Sequence, residues 1–338
     1  MVVPTIRSGK SSRLALAPTN RPRPSRFSRP SSFERPPVVL EWGSWMLRVG
    51  TTEEHLPKHM VPYELPDKLP QTAEEWYYTI IPLVNQCWDR LLLSNNTSRR
   101  VVVLHPPMMP RAWEAALTQA MWNLGVPALV FLSILDTPPL ALEWQRGMIV
   151  HVGKTEAHCL AHADGHALQN TLQIVACGYQ AAVSDASKVE PSWTSQMDQV
   201  WLNEKNPNSL LLAIAKCLEA CPTQVRKDIA ENIVFCGETI MIVPELPSKV
   251  CHRLKNILQG DALELEHASE LTLLPLEWKK LQPLQPTPRT TGPYRADMVS
   301  WIGASLWATV WNRHDEDDQH VPWTYAPTAD EVVVSKVN

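Results

Sequence analysis

Three groups of residues have the types and spacing to do chemistry: the triplet Gly153-Lys154-Thr155, the histidines His158, His162 and His166, and Gly237 at the end of an apolar run. Gly-Lys-Thr ends a phosphate-binding loop when four residues separate the loop's glycines and a helix follows. Here five residues separate Gly147 from Gly153 and the chain runs on into a strand pattern, so the triplet is not read as that loop. Histidines four apart can share a metal ion on a helix. On a strand they stand about 13 Å apart, too far to do so, and surface or partly buried histidines are expected. His151 could meet a phosphate when protonated, but its apolar neighbours favour a hydrogen-bonded core histidine.

Gly237 belongs to the stretch that organises the chain, Pro222 to Pro244. Its pattern predicts a short polar helix over 224–232, a buried strand over 233–235, and a turn at Cys236-Gly237-Glu238 into another helix. Glycine at a strand-to-helix turn can take positive φ and lets a ligand or another backbone come close. The seven cysteines (87, 159, 177, 217, 221, 236 and 251) include no CxxC and sit mostly in apolar stretches, which predicts buried free thiols in a reducing compartment. Cys217 and Cys221 could share a helix face; core packing outweighs a two-ligand metal site there.

Other elements must position these residues. Residues 38–50 read as a β-hairpin turning at Gly43-Ser44, followed by a polar, Pro-rich connection over 51–70. Thr72 and Glu75 form a capping box for a helix with Trp76, Ile80, Val84, Cys87 and Leu91 on its apolar face, kinked at Pro82. Residues 100–134 read as a βαβ unit: strand 101–104, a helix opened by Pro110 with Trp113, Leu117, Met121 and Leu124 inward and closed by Gly125, then strand 128–134. A hairpin over 147–178, a polar connection over 179–208, and helices over 209–220 and 245–258 follow, the last with Leu246, Val250, Leu254 and Ile257 on one face. Strands are predicted over 262–266 and 270–274, then a Pro-rich link over 281–293. Asp297 is expected to cap a final long helix with Met298, Trp301, Ile302, Ser305 and Leu306 inward and Gly303 packed closely on a neighbour. The acidic loop 315–318 and the tail from Val321 are placed on the outer surface.

The chain has 338 residues, 44% hydrophobic and 20% charged, with net charge −4. That length allows two domains, and the charge gives no reason to expect nucleic acid or an anionic membrane as partner. No apolar run approaches the ~20 residues of a membrane span, so a soluble protein without membrane insertion is expected. Residues 1–36 carry Arg7, Lys10, Arg13, Arg21, Arg23, Arg26, Arg29 and Arg35 against one acid, Glu34, among Ser and Pro. This predicts a disordered basic tail. Its prolines oppose the amphipathic helix of a mitochondrial presequence. A solvated tail is preferred to a basic arm on an acidic filament or tubulin surface.

The stretch Cys221 to Val234, with Arg226-Lys227-Asp228 in its helix, resembles the actin signature in which such a helix leads through a strand to the adenosine loop. Asp297-Met-Val-Ser-Trp301-Ile-Gly303-Ala-Ser305-Leu306 resembles the last core helix of actins. Within that superfamily, residues 221–234 and the segment around Val321-Pro-Trp323 are most similar to the branch of actin-related proteins at the pointed end of the dynactin filament. The resemblance covers roughly residues 37 to 325, with gaps where actins carry two peripheral subdomains: in the connections 51–70 and 179–208.

That resemblance implies an α/β, actin-like (ribonuclease H-like) fold of duplicated βαβ domains, with the two small peripheral subdomains reduced or absent. The implied domains are the tail 1–36, a first domain of 37–141 plus 295–338, and a second of 142–294. Gly43, Ser44, Gly153 and Gly237 match the family's phosphate and adenosine loops and imply a vestigial ATP/ADP site or none. Glu41 stands at the first loop's acidic position, and Trp42 and Trp45 replace small residues, crowding the cradle. His151 stands where the family keeps a metal-organising aspartate, with Lys154 and Thr155 for an acid and a glycine. Leu135 stands at the catalytic glutamine, and Glu238 would set a carboxylate beside the phosphates. No catalytic or metal residue is therefore carried over, and hydrolysis is not expected. The implied partners are the terminal actin-related filament subunit of dynactin and other pointed-end complex subunits, in the cytoplasm on the microtubule-associated cytoskeleton. The alternative is a nuclear scaffold of a chromatin-remodelling complex; an actin-type ATPase ranks below both.

Overall fold

A computed structural model describes residues 35–43, 45–64, 69–91, 99–184, 198–259, 281, 284–312 and 323–326. In chain order the strands and helices are β1 (Val38–Trp42), β2 (Met46–Thr51), β3 (His59–Pro62), α1 (Ala73–Leu91), β4 (Val101–His105), α2 (Arg111–Asn123), β5 (Ala128–Ser133) and α3 (Pro138–Ala141). Then come β6 (Gly147–Val152), β7 (Ala157–Ala163), β8 (His166–Ala167), β9 (Gln173–Val175), α4 (Tyr179–Ser184), α5 (Leu210–Ala220), α6 (Thr223–Ala230) and β10 (Ile233–Cys236). The last are α7 (Glu238–Ile242), α8 (Leu246–Gln259), β11 (Pro288–Arg289), α9 (Val299–Trp311) and β12 (Thr324–Tyr325).

The protein is α/β, with two mixed sheets that repeat one plan. The first sheet runs β12-β5-β4-β1-β2-β3 and the second β11-β10-β6-β7-β8, with β9 also on β7. In each, the opening strand (β1 or β6) is antiparallel to the next and parallel to a later one, β4 or β10. The capping box and the 3.6-residue apolar period explain α1: Thr72 Oγ1 accepts from Glu75 N at 3.2 Å, Glu75 Oε2 accepts from Gln71 N at 2.7 Å, and the helix runs through Pro82. The expected βαβ unit is present, with β4 and β5 parallel and Gly125 at φ 78° where α2 ends.

Alternation along the opening strands sets the cores. Val38, Leu40 and Trp42 pack with Trp76, Ile80, Trp113 and Leu117 of α1 and α2. Met148, Val150 and Val152 pack with Leu211, Ile214 and Leu218 of α5 and Leu254 of α8. The opposite faces meet in a third core, where Val39 and Val102 of the first sheet join Ile149 and Val234 of the second around Trp301 of α9. Both faces of these strands are thus dry, which is why they read as continuous apolar runs. Gly303 lets α9 close onto α3: a Cβ there would lie 2.5 Å from the carbonyl carbon of Thr137.

Several expectations are corrected. The connection 51–70 carries β3, too short to show a strand period. The Pro-rich link carries β11, paired with β10. The connection 179–208 holds α4 and a π-helical turn, Asp198–Leu202. The first hairpin pairs Trp42 with Leu47, so its turn is wider than Gly43-Ser44. Asp297 does not cap α9; Met298 stands at that position without a side-chain cap, and Leu306 points outward, 46% exposed. The strands expected at 262–266 and 270–274, the loop 315–318, the tail from 321 apart from 323–326, and residues 1–34 of the basic tail lie outside the described residues.

Candidate functional site

Three glycine turns meet where the two sheets face one another, at the ends of β1, β6 and β10. Gly237 has φ 99°, and a Cβ on it would lie 2.5 Å from the Val152 carbonyl oxygen, just ahead of Gly153. Thr239 Oγ1 donates to Gly153 O at 2.8 Å, so these two turns are neighbours. Gly43 lies beside the carboxylate of Glu238, its ideal Cβ 3.6 Å from Oε1. Ser44 lies outside the described residues.

The N–H groups of the three glycines are spoken for. Gly43 N donates to Met46 O at 3.0 Å, Gly153 N to Glu156 O at 2.9 Å, and Gly237 N to Ala296 O at 3.1 Å. Each residue has one N–H, so a phosphate would have to break these bonds to be cradled by the same groups. The close approach that Gly237 permits is used by the chain's own backbone.

Between the turns lies a side chain that the sequence did not single out, Arg48. It stands opposite Glu41 in the register of β1 and β2, with both side chains 6% exposed. Arg48 Nη1 donates to Glu41 Oε1 at 3.0 Å and to the Asp297 carbonyl at 3.2 Å. Nη2 donates to Glu238 Oε1 at 3.0 Å and lies 3.6 Å from Asp297 Oδ2. Arg295 completes the cluster, its Nε and Nη2 donating to Asp297 Oδ1 and Oδ2 at 3.1 and 3.0 Å. The carboxylate of Glu238 is therefore paired, and Asp297 serves this cluster instead of a helix cap. Removing one partner from so buried an ion pair costs about 3–5 kcal/mol, because the other charge is left uncompensated.

Electrostatics follow from burial. Desolvation pushes the Glu41 carboxyl up to about 7, against the pull of Arg48 and with the help of Glu238 and Asp297. Its Oε2 is buried without a hydrogen-bond partner. Burial acts against the Arg48 charge, but the three carboxylates outweigh it and its pKa rises. His151 stands on β6 as Glu41 does on β1. Burial, then His158 and Arg48, drive its pKa down to about 3, so it is neutral and holds no anion. Burial also raises the Cys159, Cys177, Cys236 and Cys251 thiols, which keeps them from acting as nucleophiles. All seven cysteines are buried thiols.

The other candidates scatter. His158 and His162 are buried on β7, 4% and 3% exposed, more deeply than expected, whereas His166 is exposed on β8. His158 Nε2 lies 3.3 Å from Glu156 Oε2, which helps to lower the Glu156 pKa. Among the described residues no group of three or more His, Cys, Asp or Glu is arranged for a metal ion. Leu135 is fully buried. Trp42, beside Gly43, is 1% exposed, its ring tilted against Tyr63 and edge-on to Trp113 at 5.3 and 5.4 Å. Trp45 does stand at the opening, its ring 5.8 Å from Lys154 Nζ. A cleft of about 650 Å³ borders the first two turns, lined by Gly43, Trp45, Tyr63, Met108, Lys154 and Thr155.

Arg48 could be found in the sequence only through the hairpin register. A turn at Gly43-Ser44 sets Glu41 against Met46, whereas the wider turn sets it against Arg48. Chemically, the described residues of the arrangement offer buried neutral or paired groups, with no nucleophile beside a base among them. No helix among the described residues is long and apolar enough to cross a membrane. No protein-family model matches the chain, and no curated protein matches it in sequence.

Proposed function

We propose that this chain is a non-catalytic actin-related protein that caps the pointed end of dynactin's actin-related filament and acts as a scaffold for dynein-dependent transport along microtubules. The observation that carries the reading is the repeated sheet order, an antiparallel β-meander extended by parallel strands, which supports the ribonuclease H-like plan that the resemblance to actins implies. Fold alone does not give function. The motif resemblance at 221–234 and 297–306 and the state of the site supply the rest. Leu135 and His151 stand at the family's catalytic positions, and an ion pair occupies the ground between the phosphate turns. Phosphoryl transfer rests on positioning and electrostatics, and these groups offer neither.

The short connections after β2 and β9 support the expectation that the lobes that receive the next subunit in actin filaments are reduced or absent. A body that seats on a polymer end and offers nothing to a successor stops growth. The filament's terminal subunit and the other pointed-end complex subunits are the proposed partners, in the cytoplasm. Tandem affinity purification of the tagged full chain tests this. Dynactin subunits are expected in the eluate; chromatin remodellers in their absence would replace the reading with the nuclear scaffold, and imaging of the tagged chain separates the two compartments.

A further inference from the structure

The charged cluster at the site has a second consequence, independent of which partner the protein caps. Its three acids come from separate pieces of the fold: Glu41 from the first sheet, Glu238 from the turn that leaves the second, and Asp297 from the segment that leads into α9. All are held by one guanidinium, with side chains no more than 16% exposed. Another bridging arginine, Arg146, sits between Asp164 and Asp228 at 41% exposure, where water and salt screen it.

We propose that Arg48 is a built-in latch, which holds the second sheet's Gly237-Glu238 turn against the first sheet's hairpin and so fixes the two sheets together without a bound ligand. In a cleft closed by a ligand, an anion and its cation would bridge the turns from outside. Here the anion is Glu238, the cation is Arg48, and both are covalently part of the chain. The Glu238 carboxylate beside Gly43 takes the guanidinium that a phosphate there would need, and the Gly43, Gly153 and Gly237 amides already serve backbone carbonyls. The latch therefore does two things at once: it closes the molecule and keeps nucleotide out.

Hydrogen exchange on the full chain tests the proposal. Glu238→Ala removes the bridge and leaves Glu41 and Asp297 on Arg48. It is expected to speed exchange about tenfold at the amides of 41–48 and 235–239, with α1 and α8 unchanged. Raising salt to 0.5 M should leave these amides as protected as before, since the pair is buried. Arg48→Met is the stronger variant; if it does not fold, Glu238→Ala decides. Unchanged exchange in Glu238→Ala, an equal rise in α1 and α8, or slower exchange at these amides when Mg·ATP is added to the wild-type chain would each overturn the latch.

Discussion

Gly303 of α9 lies against the Thr137 peptide with no room for a methyl group between them. The obstruction is backbone, not a side chain that can swing away, so Gly303→Ala must push α9 off α3. Overpacking of this kind costs about 1–3 kcal/mol or more. The midpoint of urea unfolding should fall accordingly, and a variant as stable as the wild type would show that α9 does not seat as described.

Placing a glutamine at position 135, where the resemblance to actins would put one, should not create phosphate-releasing activity. Leu135 is fully buried in the core shared by the sheets, with Trp301 and Ile149. Leu135→Gln buries an amide without prepared partners, at a cost of about 1–3 kcal/mol, and phosphate release should stay at background. Denaturation and a phosphate-release assay on the same preparation check both halves.

Stability should depend on pH, with the buried histidines and Glu41 pulling in opposite directions. His151 and His162 are depressed to about 3 and 4, chiefly by burial. Groups lowered on folding add stability that is present above their unfolded pKa and lost as pH falls through the folded one. Glu41, raised to about 7, does the reverse: its contribution is present below its ordinary value and lost as pH rises towards 7. Between about pH 4.5 and 6.5 these two histidines, joined by His105, which burial also lowers, outweigh Glu41, so stability should rise with pH. Glu41→Gln should steepen that rise and His151→Leu should flatten it, as read from urea midpoints at pH 5, 6 and 7.

Millimolar Mg·ATP should leave the melting temperature of the wild-type chain unchanged, and EDTA should do the same. A ligand at one hundred times its Kd would add about 2.7 kcal/mol and be easily seen. A rise on adding Mg·ATP would mean that the turns release their internal hydrogen bonds for phosphate.

Much of the fold was legible because periodicity reports burial directly. The run of α1, the βαβ unit around α2, and the strand-turn-helix at Gly237 all follow from apolar spacing and turn residues. β3 and β11 escaped because short strands carry too little pattern, and both contain proline. Asp297 looked like a cap because caps are local, whereas its partner Arg48 is 249 residues away. The site was legible in its glycines but not in its charges. Glu41 and Glu238 were visible as departures from a familiar motif; that one arginine joins them depended on a hairpin register and on a contact between sheets, neither of which sequence spacing fixes.

Each sheet ends beside its outermost long strand with a two-residue strand, β11 on β10 and β12 on β5. Such short pieces act as guards: they occupy part of the backbone rim that could otherwise recruit a strand from another molecule. For β5 the guard sits within the last sixteen residues, anchored by Trp323 against Trp307 at 5.6 Å. Loss of that anchor would turn a finished rim into an adhesive one, and the first symptom would be self-association, not unfolding.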